Sequence, residues 1–279
     1  MIPSWFWLAA GAGIIGNGFN FVNRFSLRGQ QDSTAYAWWF EFLRLVVFGT
    51  LAMFNFQLAV SSKSLSMLVS LGLVELVAIY LYMKMHAFTE LSLSAIIVRL
   101  RQVWVLLVAW VLIGERLNFT GYLGILIIFT GLALALWQKN FKPGKGLKLA
   151  LAFSIVSAVM WALMKGGAEF VSTPVLIMFL SWPSVVFLPL VMKNPAGRIV
   201  ALWRQKVKNL LLSVGSDAVT LYLMAQALRQ GPVSKVLSVS QGMLVLAILA
   251  GILFLGEKER AWQKLLGGLI TVGGVWLLV

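Results

Sequence analysis

The sequence predicts an all-α integral membrane protein of ten transmembrane helices, arranged as two inverted five-helix repeats. Composition gives the first reason. Of 279 residues, 60% are apolar and 11% charged, with a mean hydropathy of +0.91. A soluble domain is usually nearer half apolar and a quarter charged, so there is too little polar surface here to wrap a globule of this size. The same apolar content excludes disorder. Continuity gives the second reason. Runs such as Ile125–Trp137 and Met243–Leu255 are unbroken, whereas a membrane β-barrel shows alternation over about ten residues. At roughly 20 residues per span, ten spans fit with short connections. The third reason is an internal repeat.

In chain order the expected spans are Ile2–Val22, Thr34–Phe54, Leu65–Met85, Leu91–Ile113, Thr120–Gln138, Leu147–Met164, Pro174–Met192, Asn209–Leu228, Val233–Leu255 and Ala261–Val279. The first Lys or Arg is Arg24, after the apolar stretch to Val22. That pattern lacks the basic n-region of a cleaved signal peptide and reads as a retained span. No connection is long enough for a soluble domain. The longest, Lys193–Lys208, contains Arg198-Ile199-Val200-Ala201-Leu202-Trp203-Arg204. It suits either a short amphipathic surface helix or a plain basic loop.

The segment Lys139–Gly146 sits at the chain midpoint, and the sequence repeats on either side of it. Leu112-Ile113-Gly114-Glu115 followed by Gly124, Ile127 and Gly131 recurs as Phe254-Leu255-Gly256-Glu257 followed by Gly267, Ile270 and Gly274. The offset is 142 at the Gly-Glu pair and 143 at the later glycines. Upstream, Leu81-Tyr82 and Ala87 recur as Leu221-Tyr222 and Ala227 at an offset of 140. The repeats are therefore 1–139 and 147–279, with 140–146 as linker. Five spans per copy is an odd number, so the second copy inserts upside down. Inverted repeats let one scaffold open to either side of a membrane.

An apolar span ending in Gly-Glu-Arg-Leu (Gly114–Leu117) leads into Gly124-Ile125-Leu126-Ile127-Ile128-Phe129-Thr130-Gly131, and the pattern recurs more weakly at Gly256–Glu257 and Gly267–Gly274. In this the sequence resembles the drug/metabolite transporter superfamily, in its ten-helix EamA-type branch. The resemblance covers essentially the whole chain and implies fold more than substrate. Many members carry a proline thirteen residues before the Glu of each half, where this chain has Gln102 and Leu244. A bacterial inner (plasma) membrane location goes with the resemblance.

Most basic residues fall in or near loops, but Arg44, Arg99 and Arg101 lie deep within spans, as do Glu41, Glu75 and Asp217. A central ionisable group costs at least about 2.5–3.5 kcal/mol on insertion scales, so it faces a cavity or a partner. Glu41 and Arg44, three residues apart, share a helix face and could neutralise one another. Arg99 and Arg101 point about 200° apart, so one could line a cavity while the other pairs with Glu75. Glu75 and Asp217 are related by the offset of 142, while the offset of 140 would align Glu75 with Gly215. If equivalent, the two acids suit proton coupling; structural ion pairing is the alternative. Asn17, Asn20, Trp161, Tyr222 and Gln241 complete the candidate substrate-binding set. Lys165 and Glu169 read as a solvated pair at a span end, and His86 as an interfacial histidine.

Function follows by elimination and by architecture. Cys is absent and His86 is the only histidine, which removes disulfide, thiolate and zinc-cluster chemistry. No catalytic set and no P-loop is legible. The expectation is a secondary transporter, not an enzyme, moving a small polar metabolite (an amino acid or similar) through a central cavity by alternating access. A flippase or accessory subunit for a lipid-linked substrate is the alternative. No cofactor or metal is called for. Expected partners are a small-molecule substrate, protons and membrane lipids, with no nucleic acid, the chain acting as monomer or homodimer. The net charge of +14 belongs to loops facing anionic headgroups.

Loop charges also set the orientation. One side would carry Arg24, Arg28, Lys84, Lys139, Lys142, Lys145, Lys148, Lys193, Arg198, Arg204, Lys206, Lys208, Lys258, Arg260 and Lys264, and the other Lys63, Arg116, Lys165, Arg229 and Lys235. By the positive-inside rule both termini, which share the less basic side, face outward. Members of the resembled superfamily commonly have both termini in the cytoplasm.

Overall fold

The computed structural model describes residues 3–28, 32–98, 100–113, 119–137 and 144–277. Arg99, the Gly114–Leu117 motif with Glu115, and most of the linker lie outside the described residues. Twelve α-helices run through the described residues: α1 Ser4–Leu27, α2 Ser33–Phe54, α3 Ser62–Phe88, α4 Leu91–Val98, α5 Arg101–Ile113, α6 Phe119–Leu136, α7 Lys145–Gly167, α8 Thr173–Phe187, α9 Pro195–Gln230, α10 Val233–Gln241, α11 Leu244–Phe254 and α12 Ala261–Leu277. The only bridge outside helices among them joins Leu58 to Val171. By length and composition, five stretches are long and apolar enough to cross a membrane: Ser33–Phe54, Ser62–Phe88, Lys145–Gly167, Thr173–Val191 and Pro195–Gln230.

Helix starts follow local chemistry. The Asp32 carboxylate accepts from the Ala35 amide at 3.0 Å and caps α2. Ser61 and Ser64 form a reciprocal capping box at α3, satisfying donors that a helix end leaves open. At α9, Asn194 adopts a left-handed φ of 52° and its side chain accepts from Gly197, with Pro195 opening the first turn. Asn tolerates that backbone region better than most residues, and Pro is favoured at the first helical position.

The basic segment before the eighth expected span is not a separate element. It is continuous with that span in one 36-residue helix. Such a helix is about 54 Å long, well beyond a hydrocarbon core of about 30 Å. Its extra turns are tied back to α2: Trp39 donates its indole N–H to the Ile199 carbonyl at 2.7 Å and packs on Trp203 with ring centroids 4.3 Å apart. Arg198 grips Asp32 through two hydrogen bonds of 2.5 and 2.6 Å.

Two expected spans are broken. The first stops at Val98 and resumes at Arg101; the second stops at Gln241 and resumes at Leu244, each boundary 143 residues after its counterpart. Gln102, just past the first break, donates to Ser238 across to the second at 2.6 Å.

The halves pack in a reciprocal pattern. Helix α1 packs on α9 as α7 packs on α3, and α2 meets α9 as α8 meets α3, while α2·α8 and α6·α12 each pair counterparts. At the α6–α12 crossing, Gly131 meets Gly267 and Gly124 meets Gly274. These two contacts exchange under the repeat offset, and their order shows that α6 and α12 run antiparallel. Close approach of two backbones needs small residues there, as in membrane helix pairs generally.

Loop contacts sort into two ends. At one end Ser4 meets Gln230, Leu58 bridges Val171, and Lys165 and Arg229 bond carbonyls of Leu228 and Val171. Lys165 thus serves as a carbonyl clamp and is not paired with Glu169. At the other end Arg28 reaches the Leu255 carbonyl, Arg198 meets Asp32, Glu257 accepts from the Leu91 amide, and Lys264 pairs with Glu90.

Candidate functional site

A cavity of about 160 Å³ lies between the halves, walled by α1, α2, α3, α4, α5, α7, α9 and α10. A cavity needs roughly 10–15 Å³ to admit one water, so this one has room for several. Its wall is mostly apolar, with charged and amide groups converging on it.

The densest polar feature is built around Arg44. Its Nη2 donates to Oε2 and Oε1 of Glu41 at 2.5 and 2.6 Å and to Oε1 of Glu75 at 2.7 Å. Nη1 reaches Asp217 at 3.3 Å, and Nε donates to the Ser181 hydroxyl at 2.8 Å. The Glu41–Arg44 pairing expected from their spacing is present, but it is one part of a four-membered cluster drawn from α2, α3 and α9. All four side chains are buried. Arg44, Glu75 and Asp217 border the cavity, and Glu41 lies behind them. Three carboxylates share one guanidinium, an excess of two negative charges when all are ionised.

Of Arg99 and Arg101, one was expected to line the cavity and the other to pair with Glu75; the Glu75 carboxylate is held by Arg44. Arg101 borders the cavity with its guanidinium carbon 5.9 Å from the centre of the Trp161 ring. Its Nε has no hydrogen-bond partner, and neither has the Trp161 indole nitrogen, although Trp161 is only 7% exposed. Arg99 lies outside the described residues.

Asn17 and Asn20 border the cavity from α1. Asn17 donates to the carbonyls of Gly13 and Met243 at 2.8 and 2.7 Å, so it serves a backbone oxygen at the second helix break. Asn20 accepts from the Tyr82 hydroxyl at 2.6 Å; Tyr82 in turn accepts from Asn23, which accepts from Ser213. Sequence reasoning used Tyr82 only as a repeat marker. Its position seven residues after Glu75, two turns along the same helix face, was the available signal.

Tyr222 is not part of the cavity. It is 42% exposed and lines a separate surface pocket with Arg229 and Gln226 near the end that holds Ser4. On a helix, the residue two positions on faces another way, and Met224 borders the cavity, as do Thr220 and Leu221. The offset of 142 therefore matches Tyr82 with Met224 as it matches Glu75 with Asp217. Gln241 ends α10 at the second break; its side chain is outside the described residues. His86 is 1% exposed and borders the cavity with neither ring nitrogen hydrogen-bonded. It is a buried group, not the interfacial histidine expected from its place near a span end, because α3 continues to Phe88 and Tyr82 packs edge-on against it at 4.5 Å.

No curated protein matches the sequence. Among solved structures, one described as "Crystal structure of protein" aligns over 98% of this chain and 96% of that chain, with a TM-score of 0.65 and 15% sequence identity. At that identity the likeness concerns the fold. The model of the EamA-like transporter family matches twice, over residues 3–137 and again over 144–279. The chain is thus a multi-pass integral membrane protein built as a tandem duplication, and it belongs to the EamA-like transporter family.

Proposed function

We propose that this protein is a secondary transporter that carries a small polar metabolite, an amino acid or a molecule of similar size, through the central cavity. The observation that carries the reading is the cavity itself: helices of both repeats wall it, and Arg44, Glu75, Asp217 and Arg101 border it. A charge at that depth is costly in lipid and useful beside a polar solute.

The architecture that would serve such transport is ten spans in two inverted five-helix repeats, 1–139 and 147–279, joined by 140–146. The reciprocal packing of the halves and the antiparallel meeting of α6 with α12 support it. A twofold axis that exchanges antiparallel helices lies across them, and so in the membrane plane. In this reading α4 with α5, and α10 with α11, are the two interrupted spans that membrane carriers place at their binding sites. Alternating access would break one set of end contacts at a time: Arg24–Glu257 (3.7 Å) and Lys264–Glu90 at one end, Ser4–Gln230 at the other. The excess of carboxylates over guanidinium around Arg44 supplies groups able to carry protons, which supports proton coupling. Both termini face outward, since the end opposite Ser4 gathers most loop Lys and Arg.

The test is a thermal-shift screen of the purified protein against a metabolite library, followed by uptake of the hits into proteoliposomes. Ligands that bind only the folded state raise its apparent stability. Glu75→Gln and Asp217→Asn should each cut uptake at least about tenfold with the fold retained, while Tyr222→Phe leaves it unchanged. Equal loss in all three, or in none, would reject the cavity as the transport site.

A further inference from the structure

Arg101 is a half-buried cation in the cavity wall that the cluster does not use. Arg44 is saturated by three carboxylates and a hydroxyl, whereas no carboxylate in the described residues pairs with Arg101. Guanidinium stays charged even when buried, so it calls for an anion, and the two carboxylates of the cavity wall, Glu75 and Asp217, are held by Arg44. Beside it stands a second donor without an acceptor, the indole N–H of Trp161. Leaving such a donor unpaired in a buried place is unfavourable unless something else completes it. Arg101 also opens α5, immediately after the break at Val98, which sets the positive end of that helix's dipole at the same place.

We propose that Arg101 and Trp161 form a carboxylate subsite in the cavity, and that the transported solute carries a carboxylate held there. The guanidinium makes the charged hydrogen bonds, and the indole gives both a ring face for the cation and one N–H for the anion. The proposal rests on the transport reading and narrows it to acid-bearing solutes. The same chemistry could come from the phosphate of an anionic lipid, so the test separates the two sources.

Binding of lactate and mandelate, each beside its uncharged amide, is measured by calorimetry on the purified full-length protein in detergent, and again with phosphatidylglycerol added. The wild type should bind an acid at least about tenfold more tightly than its amide, and Arg101→Gln should abolish that preference. Trp161→Phe keeps the ring and removes the donor; it should weaken acid binding while leaving the ligand-free protein as stable as wild type or more so. A residue that only packs would not split those two readouts. Absence of any acid preference in the wild type, an unchanged preference in Arg101→Gln, or saturation by phosphatidylglycerol alone would overturn the subsite. Binding of the acids without uptake in proteoliposomes would instead reject the transport reading and leave the subsite standing.

Discussion

Gly131 and Gly267 face each other so closely that a Cβ on either would lie 2.6 Å from the other's carbonyl oxygen. Gly124 and Gly274 form the second contact of the same crossing, where a Cβ on Gly274 would meet the Gly124 oxygen at 2.7 Å. The glycines that mark the repeat in the sequence are the ones that join the repeats in space.

Adding a methyl group at this crossing should therefore force α6 and α12 apart. Gly131→Ala and Gly267→Ala are each expected to destabilise by about 1–3 kcal/mol, the usual cost of overpacking. Gly18 has open space around its Cβ position, so Gly18→Ala should be neutral or stabilise by about 0.5–1 kcal/mol through helix propensity. Equilibrium unfolding in mixed micelles distinguishes the two classes.

The Arg44 cluster predicts an asymmetry. Removing the guanidinium leaves three buried carboxylates without a cation, so Arg44→Gln should cost about 3–5 kcal/mol or more. Glu41 lies behind the cavity wall and belongs to an excess of acids, so Glu41→Gln should be close to neutral for stability and keep uptake. Comparable losses in both variants would contradict the charge balance drawn here.

Much of this was legible from the sequence, for identifiable reasons. Apolar run length and the Gly114–Gly131 and Gly256–Gly274 repeats carry the membrane class and the duplicated layout, because lipid imposes them on composition. The Glu41–Arg44 contact was legible because it lies within one helix. Contacts between helices were not: Arg44 takes Glu75 and Asp217 as well as Glu41, a choice set by how α2, α3 and α9 meet. Tyr222 was misplaced because a slip of two residues in the repeat alignment turns a helical side chain to another face. The continuity of α9 through Pro195–Lys208 was hidden by its basic composition, which suits a loop as well as a helix.

Asp32 links the start of α2 to α9 and gives a pH dependence. Burial pushes its carboxyl up, but hydrogen bonds from Arg198 and from the Ala35 amide outweigh this and hold it below the ordinary aspartate range. The folded value is the lower one, so this contribution is present above the ordinary aspartate pKa and lost as pH falls through the folded value. Asp32→Asn retains a capping side chain and loses the ion pair, an expected cost of up to about 1 kcal/mol. Asp32→Ala loses the cap as well, adding about 0.5–2 kcal/mol. Unfolding midpoints at neutral pH should rank wild type, Asn and Ala in that order, and the gap between wild type and Asn should close in strong acid.

The central claim is that one cavity opens alternately to both sides of the membrane. The chain contains no cysteine, so a single cysteine at Ser240 or at Ser94, both of which border the cavity, can be labelled without background. In oriented proteoliposomes a membrane-impermeant maleimide should modify each position when applied from either face, and a transported solute should slow labelling from both. Labelling of each position from one face only, unchanged by solute, would contradict alternating access.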